Sequence, residues 1–160
     1  MLSRSAEYAV RALSLLALRG DGTPVHSREI ADALGLPPQF LTKILRRLTA
    51  TGLVTSQRGR SGGFRLGRPP DSIALLDVVM PFEEPRTEMD CLLGQGYCTD
   101  FEDCPLHQPM MEIQNAYYDL LQNTKLADVA SRAIRTPARS GIAAEHTDET
   151  RPVARTIGGC

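Results

Sequence analysis

The chain has 160 residues, 42% of them apolar and only 5% aromatic with no Trp, which suits a compact and mostly helical domain, or a small domain with an appendage. The N-terminus offers no apolar run of about 18 residues, so no membrane span is expected. Arg4, Glu7 and Arg11 interrupt any leader-like start, so the reading is a cytoplasmic protein with reduced thiols. The net charge of −1 hides a split: residues 1–67 carry ten Lys/Arg against four Asp/Glu, and residues 68–133 carry four against twelve. A basic half joined to an acidic half points to nucleic acid at one end, although two solvated faces of opposite sign have the same composition.

Residues 4–19 predict a helix. Ser3 can cap it, and Ala9, Val10, Ala12, Leu13, Leu15 and Leu16 form a broad apolar stripe. Residues 20–24, Gly-Asp-Gly-Thr-Pro, end it. Ser27 is the expected cap of a short helix with Ile30, Ala31 and Leu34 on one face and Gly35 as its stop. Pro37 and Pro38 open a third helix to about Thr51, with Leu41, Ile44, Leu45 and Leu48 buried and Gly52 at its end. Residues 53–56 and 64–66 then flank a Gly/Arg loop and predict a hairpin.

Beyond Arg68, Ser72 is the expected cap of a helix containing Ile73, Leu75, Leu76 and Val79, interrupted at Pro81 and closed by Pro85. Residues 86–104 read as a long loop, a length that is usually functional or disordered. A long helix is expected from about 106 to 123, through Met110, Ile113, Ala116, Tyr117, Leu120 and Leu121, and Thr124 is the expected cap of a short one ending at Ala133. The order helix, helix, helix, hairpin is that of a winged helix-turn-helix. The fold class is therefore mainly α: a winged helix-turn-helix DNA-binding domain over 1–80, a cysteine-bearing loop over 81–105, a long helix with a short follower over 106–133, and a disordered tail over 134–160.

In a helix-turn-helix the second helix of the pair enters the major groove near its amino end. Here that helix turns Gln39, Thr42, Lys43, Arg46 and Arg47 away from its Leu/Ile face. The first three stand early enough to reach base edges, whereas Arg46 and Arg47 suit phosphates. Arg58 and Arg60 flank a glycine in the loop, and a narrow minor groove would attract either one. Each of these cations alone could be a solvated surface charge. A helix-turn-helix order, a basic second helix and an Arg/Gly wing inside 67 residues point together to double-stranded DNA.

Cys91, Cys98, Cys104 and His107 form a Cys-x6-Cys-x5-Cys-x2-His spacing in an acidic stretch. Thiolates hold iron–sulfur clusters, and imidazole or carboxylate can complete the set. A zinc staple uses the same residue types, but its Cys pairs usually have two to four intervening residues; a thiol redox switch is the other reading. Cys160 stands apart in the tail. No Gly-rich nucleotide loop and no nucleophile–base pair speaks for an enzyme.

The sequence resembles the Rrf-type bacterial regulators, whose members include the IscR-like and NsrR-like iron–sulfur sensors. The likeness covers residues 1 to about 133. It rests on the 9–13 stretch Ala-Val-Arg-Ala-Leu, Ile30-Ala31, Phe40 to Leu48, Gly52-Leu53-Val54, and Arg58-Gly59 with Ser61 to Phe64. It rests further on Leu76 to Val79, the three cysteines, and Thr124 with Leu126, Ala127 and Asp128. The resemblance implies a homodimer whose long C-terminal helices are dimerisation helices, setting two recognition helices on a palindromic operator. It implies base reading by Gln39, Thr42 and Lys43, a minor-groove role for Arg58, and cluster ligation by Cys91, Cys98 and Cys104. His107 matches the IscR-like fourth ligand and favours a 2Fe–2S cluster. Glu7 matches an NsrR-like carboxylate reaching the cluster from the other subunit, which would go with 4Fe–4S. Arg11 stands where a further subgroup carries a histidine, and the interval from Cys91 to Cys98 is one residue longer than the IscR-like one. The implied function is a regulator whose operator affinity follows cluster state; the alternative is a cluster-free regulator with a zinc or thiol-switch loop.

Overall fold

Ser3 starts the first helix where its position predicts: its hydroxyl accepts the Ala6 N–H at 3.2 Å, satisfying one of the orphan donors of the first turn. That helix, α1 (Arg4–Arg19), ends at Gly20, whose φ of 63° is the left-handed stop that glycine tolerates best. The structure, a computed structural model, describes residues 2–59, 62–83 and 104–133. Next come α2 (Ser27–Leu34) and α3 (Pro38–Ala50). Ser27 is the first residue of α2 rather than its cap. His26 takes the cap position because its carbonyl already receives the Ile30 N–H at 3.1 Å, closing the first turn one residue early.

The hairpin pairs β1 (Val54–Gln57) with β2 (Gly63–Leu66) antiparallel, Val54 opposite Leu66 and Gln57 opposite Gly63. A further rung lies beyond the expected two strands. Val25, between α1 and α2, exchanges both backbone hydrogen bonds with Phe64 at 2.9 and 2.8 Å. This ties the wing to the helical unit. The rung needs Gly63, where a Cβ would stand 2.6 Å from the Val25 carbonyl oxygen.

The next stretch departs from the expected helix. Pro70–Ser72 make one 3-10 turn, the Ser72 hydroxyl donates to the Pro69 carbonyl at 2.7 Å, and Ile73 is extended and fully buried. Helix α4 spans only Leu75–Val79 and runs into a second 3-10 turn, Met80–Phe82. The reason is tertiary. Ala74 pairs as an isolated bridge with Lys125, the Leu75 N–H donating to Thr124 and the Leu126 N–H to Ile73, each at 2.9 Å. Those bonds engage the Leu75 N–H and the Ile73 carbonyl, the groups a helix starting at Ser72 would use in its first turn.

The long helix α5 (His107–Asn123) and the short α6 (Leu126–Ala133) follow. Thr124 does not cap α6; its hydroxyl donates back to the Leu120 carbonyl at 2.7 Å, and the Asp128 carboxylate accepts the Lys125 N–H at 2.9 Å instead. Helix α6 returns to pack along α1, and Leu126 is fully buried in the same apolar cluster as Leu13, Ile30, Leu41, Leu45, Leu48 and Leu53. A second, smaller cluster joins Ala6, Val79 and Leu121, fastening α5 to α1 and α4. The expected disordered tail over 134–160 lies outside the described residues. Among those residues no helix is long and apolar enough to cross a membrane.

Candidate functional site

Helix α3 is sorted by its own periodicity. Leu41, Ile44, Leu45 and Leu48 recur at helical spacing and are buried, which anchors one face in the core. The opposite face turns Gln39, Lys43 and Arg46 to solvent, and Thr42 stands half-buried at its edge with its hydroxyl donating to the Pro38 carbonyl at 2.8 Å. Arg47 is also exposed, but it is not free-standing: its guanidinium carbon lies 5.5 Å from the centroid of the Phe82 ring. The structure therefore brings Gln39, Lys43 and Arg46 together on one strip and sets Arg47 at its flank.

The wing holds Arg58 exposed just after β1, while Arg60 lies outside the described residues. Below the tip the hairpin is stiffened by Arg65, whose Nε donates to the Thr55 hydroxyl directly across the ladder at 3.3 Å. Ion pairs join Arg19 to Glu29 and Arg68 to Asp77, so among the described residues neither pair neutralises the cations of α3 or Arg58. Arg28, exposed on α2, adds a cation on the helix that crosses the backbone in such motifs. In the sequence it is a single charge on a short helix, with no basic pattern around it to mark it.

Of the cysteine constellation, Cys104 and His107 are described, and Cys91 and Cys98 lie outside the described residues. Cys104 is half-buried, in no disulfide, and one turn before His107; the His107 N–H donates to the Cys104 carbonyl at 3.2 Å, opening α5. Glu7 is exposed on the first turn of α1 and takes part in neither ion pair. Among the described residues no three His, Cys, Asp or Glu side chains gather as a metal site. In the turn after α1 the Thr23 hydroxyl and backbone N–H hold the Asp21 carboxyl below its ordinary range.

Three helices, a paired wing and a basic strip facing away from the core define a winged helix-turn-helix DNA-binding regulator, a class that acts by binding rather than by catalysis. The chain belongs to the Rrf2 family, described as an iron-dependent transcriptional regulator, which it matches over residues 2–132. A Mycobacterium tuberculosis protein named as an HTH-type transcriptional regulator is 38% identical over 141 residues, 83% of either chain. Protein aau3 of Rhizobium meliloti is 37% identical over 129 residues, 80% of this chain and 83% of that one. Among solved structures, CymR, the global cysteine regulator of B. subtilis, superposes with a TM-score of 0.71 at 27% identity over 82% of this chain and 96% of its own. T. potens IscR gives 0.67 at 26% identity over 83% and 88%.

Proposed function

We propose that two copies of this chain pair through α5 and bind a palindromic operator in the cytoplasm, with operator affinity set by an iron–sulfur cluster. Residues 1–80 act as the DNA-reading unit, 81–105 as the cluster segment and 106–133 as the pairing unit. Gln39, Thr42 and Lys43 read base edges, Arg46 and Arg47 neutralise phosphates, and Arg58 and Arg60 serve the minor groove. The observation that carries the DNA half is the α3 strip: four buried aliphatic residues on one side, and Gln39, Lys43 and Arg46 in solvent on the other. Pairing is supported by α5, where Ile113 and Leu120 are each 62% exposed, one seam apart from the face that buries Leu121.

The donor set fits a cluster. Cys104 offers a thiol outside any disulfide and His107 an imidazole one turn on, both ligand types that iron–sulfur centres accept. Cys91 and Cys98 complete the thiolates, His107 the fourth place of a 2Fe–2S cluster, and Glu7 is the alternative ligand for a 4Fe–4S one. When bound, the cluster supplies a centre that reacts with oxidants or nitric oxide. Its binding need shift operator affinity by only about 1–3 kcal/mol to act as a signal. The likeness to a global cysteine regulator favours a second reading, a cluster-free segment working as a zinc staple or thiol switch.

Iron, acid-labile sulfide and zinc measured on protein purified without oxygen separate these readings. Stoichiometric iron and sulfide, lost in Cys98→Ala together with a shifted affinity for a duplex selected from a random library, support the sensor. One zinc per chain and no sulfide support the staple. Unchanged duplex affinity after cluster loss would refute sensing, and unchanged affinity in Lys43→Ala and Arg46→Ala would remove α3 from the DNA.

A further inference from the structure

Arg47 stands on the flank of α3 that faces α1. Two turns earlier on that flank, Phe40 meets Tyr8 of α1 edge-on, with ring centroids 5.6 Å apart. The partner of Arg47 is Phe82, from the turn that follows α4. That ring is held firmly. It packs partly buried against both apolar clusters, its carbonyl accepts the Ser3 hydroxyl at 3.3 Å, and the next residue, Glu83, accepts the Ser3 N–H through its carboxylate at 2.8 Å. The platform beneath Arg47 is thus fastened to the amino cap of α1.

An arginine lying over a ring is constrained without being neutralised. The ring attracts the guanidinium through its π face and accepts no conventional hydrogen bond from it, so the N–H donors remain for a phosphate oxygen. Among the described residues no carboxylate forms an ion pair with Arg47. Fixing a long side chain before binding removes part of the entropy that binding would otherwise cost.

We propose that Phe82 is a positioning residue for DNA binding: it preorders Arg47 as a phosphate-gripping fork at the edge of α3. The Met80–Phe82 turn thereby becomes part of the DNA-binding machinery, although it touches no DNA itself. Because the chain runs from Glu83 into the stretch that carries Cys91, a change that pulls on Glu83 reaches Arg47 through a single residue. This inference rests on the reading of α3 as the DNA-binding helix.

The test is a double-mutant cycle on a fluorescein-labelled mixed-sequence duplex of about 30 base pairs, where phosphate contacts dominate, read by anisotropy over a salt series. Arg47→Met is expected to reduce the steepness of log K against log salt by about one. Phe82→Leu is expected to weaken binding about two- to fivefold, and Phe82→Tyr, which keeps a ring, to stay near wild type. In the Arg47→Met background, Phe82→Leu should cost nothing more. Equal weakening in both backgrounds means the ring acts only through packing, and tighter binding by Phe82→Leu means it withholds Arg47; either overturns the proposal. Should thermal unfolding show that Phe82→Leu does not fold, Glu83→Gln decides: a smaller loss, absent in Arg47→Met, supports the proposal and an additive one overturns it. Duplex binding that is unchanged in Lys43→Ala and Arg46→Ala overturns the reading of α3 together with this inference. Normal responses there with no Phe82–Arg47 coupling overturn this inference alone.

Discussion

Replacing Ile113 by Ala removes three side-chain carbons from a position that is 62% exposed in the single chain. At about 0.8 kcal/mol per buried carbon, covering the exposed share by a partner helix contributes roughly 1.5 kcal/mol. A two-fold interface uses the same residue twice, so the dimer should lose about 3 kcal/mol. That is about a hundredfold in dissociation constant. By the same rule the share of Ile113 covered within its own chain is worth about 0.9 kcal/mol, so unfolding of the dilute monomer should move by no more than about 1 kcal/mol. Sedimentation velocity over a concentration series reads the first quantity, and urea unfolding at low concentration reads the second. A dimer constant within twofold of wild type would refute the pairing of α5. So would a variant whose loss lies in the fold, since Ile113 would then be a core residue.

Leu126→Ala empties a fully buried site beneath α1 and should cost about 2–5 kcal/mol, read from the urea midpoint. Gly63→Ala forces a Cβ onto the Val25 backbone and should cost about 1–3 kcal/mol, with the loss visible as a lower Tm and faster exchange of the Val25 and Phe64 amides. The Asp21 carboxyl, held low by Thr23, contributes stability above the ordinary aspartate range that is lost as pH falls through its folded value. Asp21→Asn should therefore lower Tm slightly at neutral pH and meet the wild-type curve as pH falls below the folded value, which flattens the acid slope; the effect is small because the group is fully exposed.

Most of the helical frame was legible because its signals are local. Ser3, Gly20, Gly35 and Pro38 mark helix ends through their own backbone preferences, and Leu41 to Leu48 declare a buried face by spacing alone. The misplacements come where a distant segment competes for the same backbone groups. Ser72 and Thr124 have the chemistry of helix caps, yet the Ala74–Lys125 bridge claims the neighbouring N–H groups and turns both hydroxyls to other carbonyls. The Val25–Phe64 rung is hidden for the same reason: a single residue between two helices carries no strand periodicity. Arg47 reads as one more cation of its helix, and its ring partner lies 35 positions away with no repeat linking them. Cys104 and His107 are legible as donors by type, since ligand chemistry is written in residue identity.

The bridge between Ala74 and Lys125 also clamps one end of α5, so that the helix can act as a lever about that joint. Its Asn123 end is held by paired backbone, by Leu121 below and by Leu126 beyond, while its other end begins at His107, beside Cys104. Seventeen residues at 1.5 Å each give an arm of roughly 25 Å, so a tilt of about 5° at the clamp sweeps the far tip through about 2 Å. The same proportion runs backwards. A force applied beside Cys104 has a long moment arm, and it is delivered as torque at the joint where α6 meets α1, directly behind the helix that carries the amino cap of the whole unit.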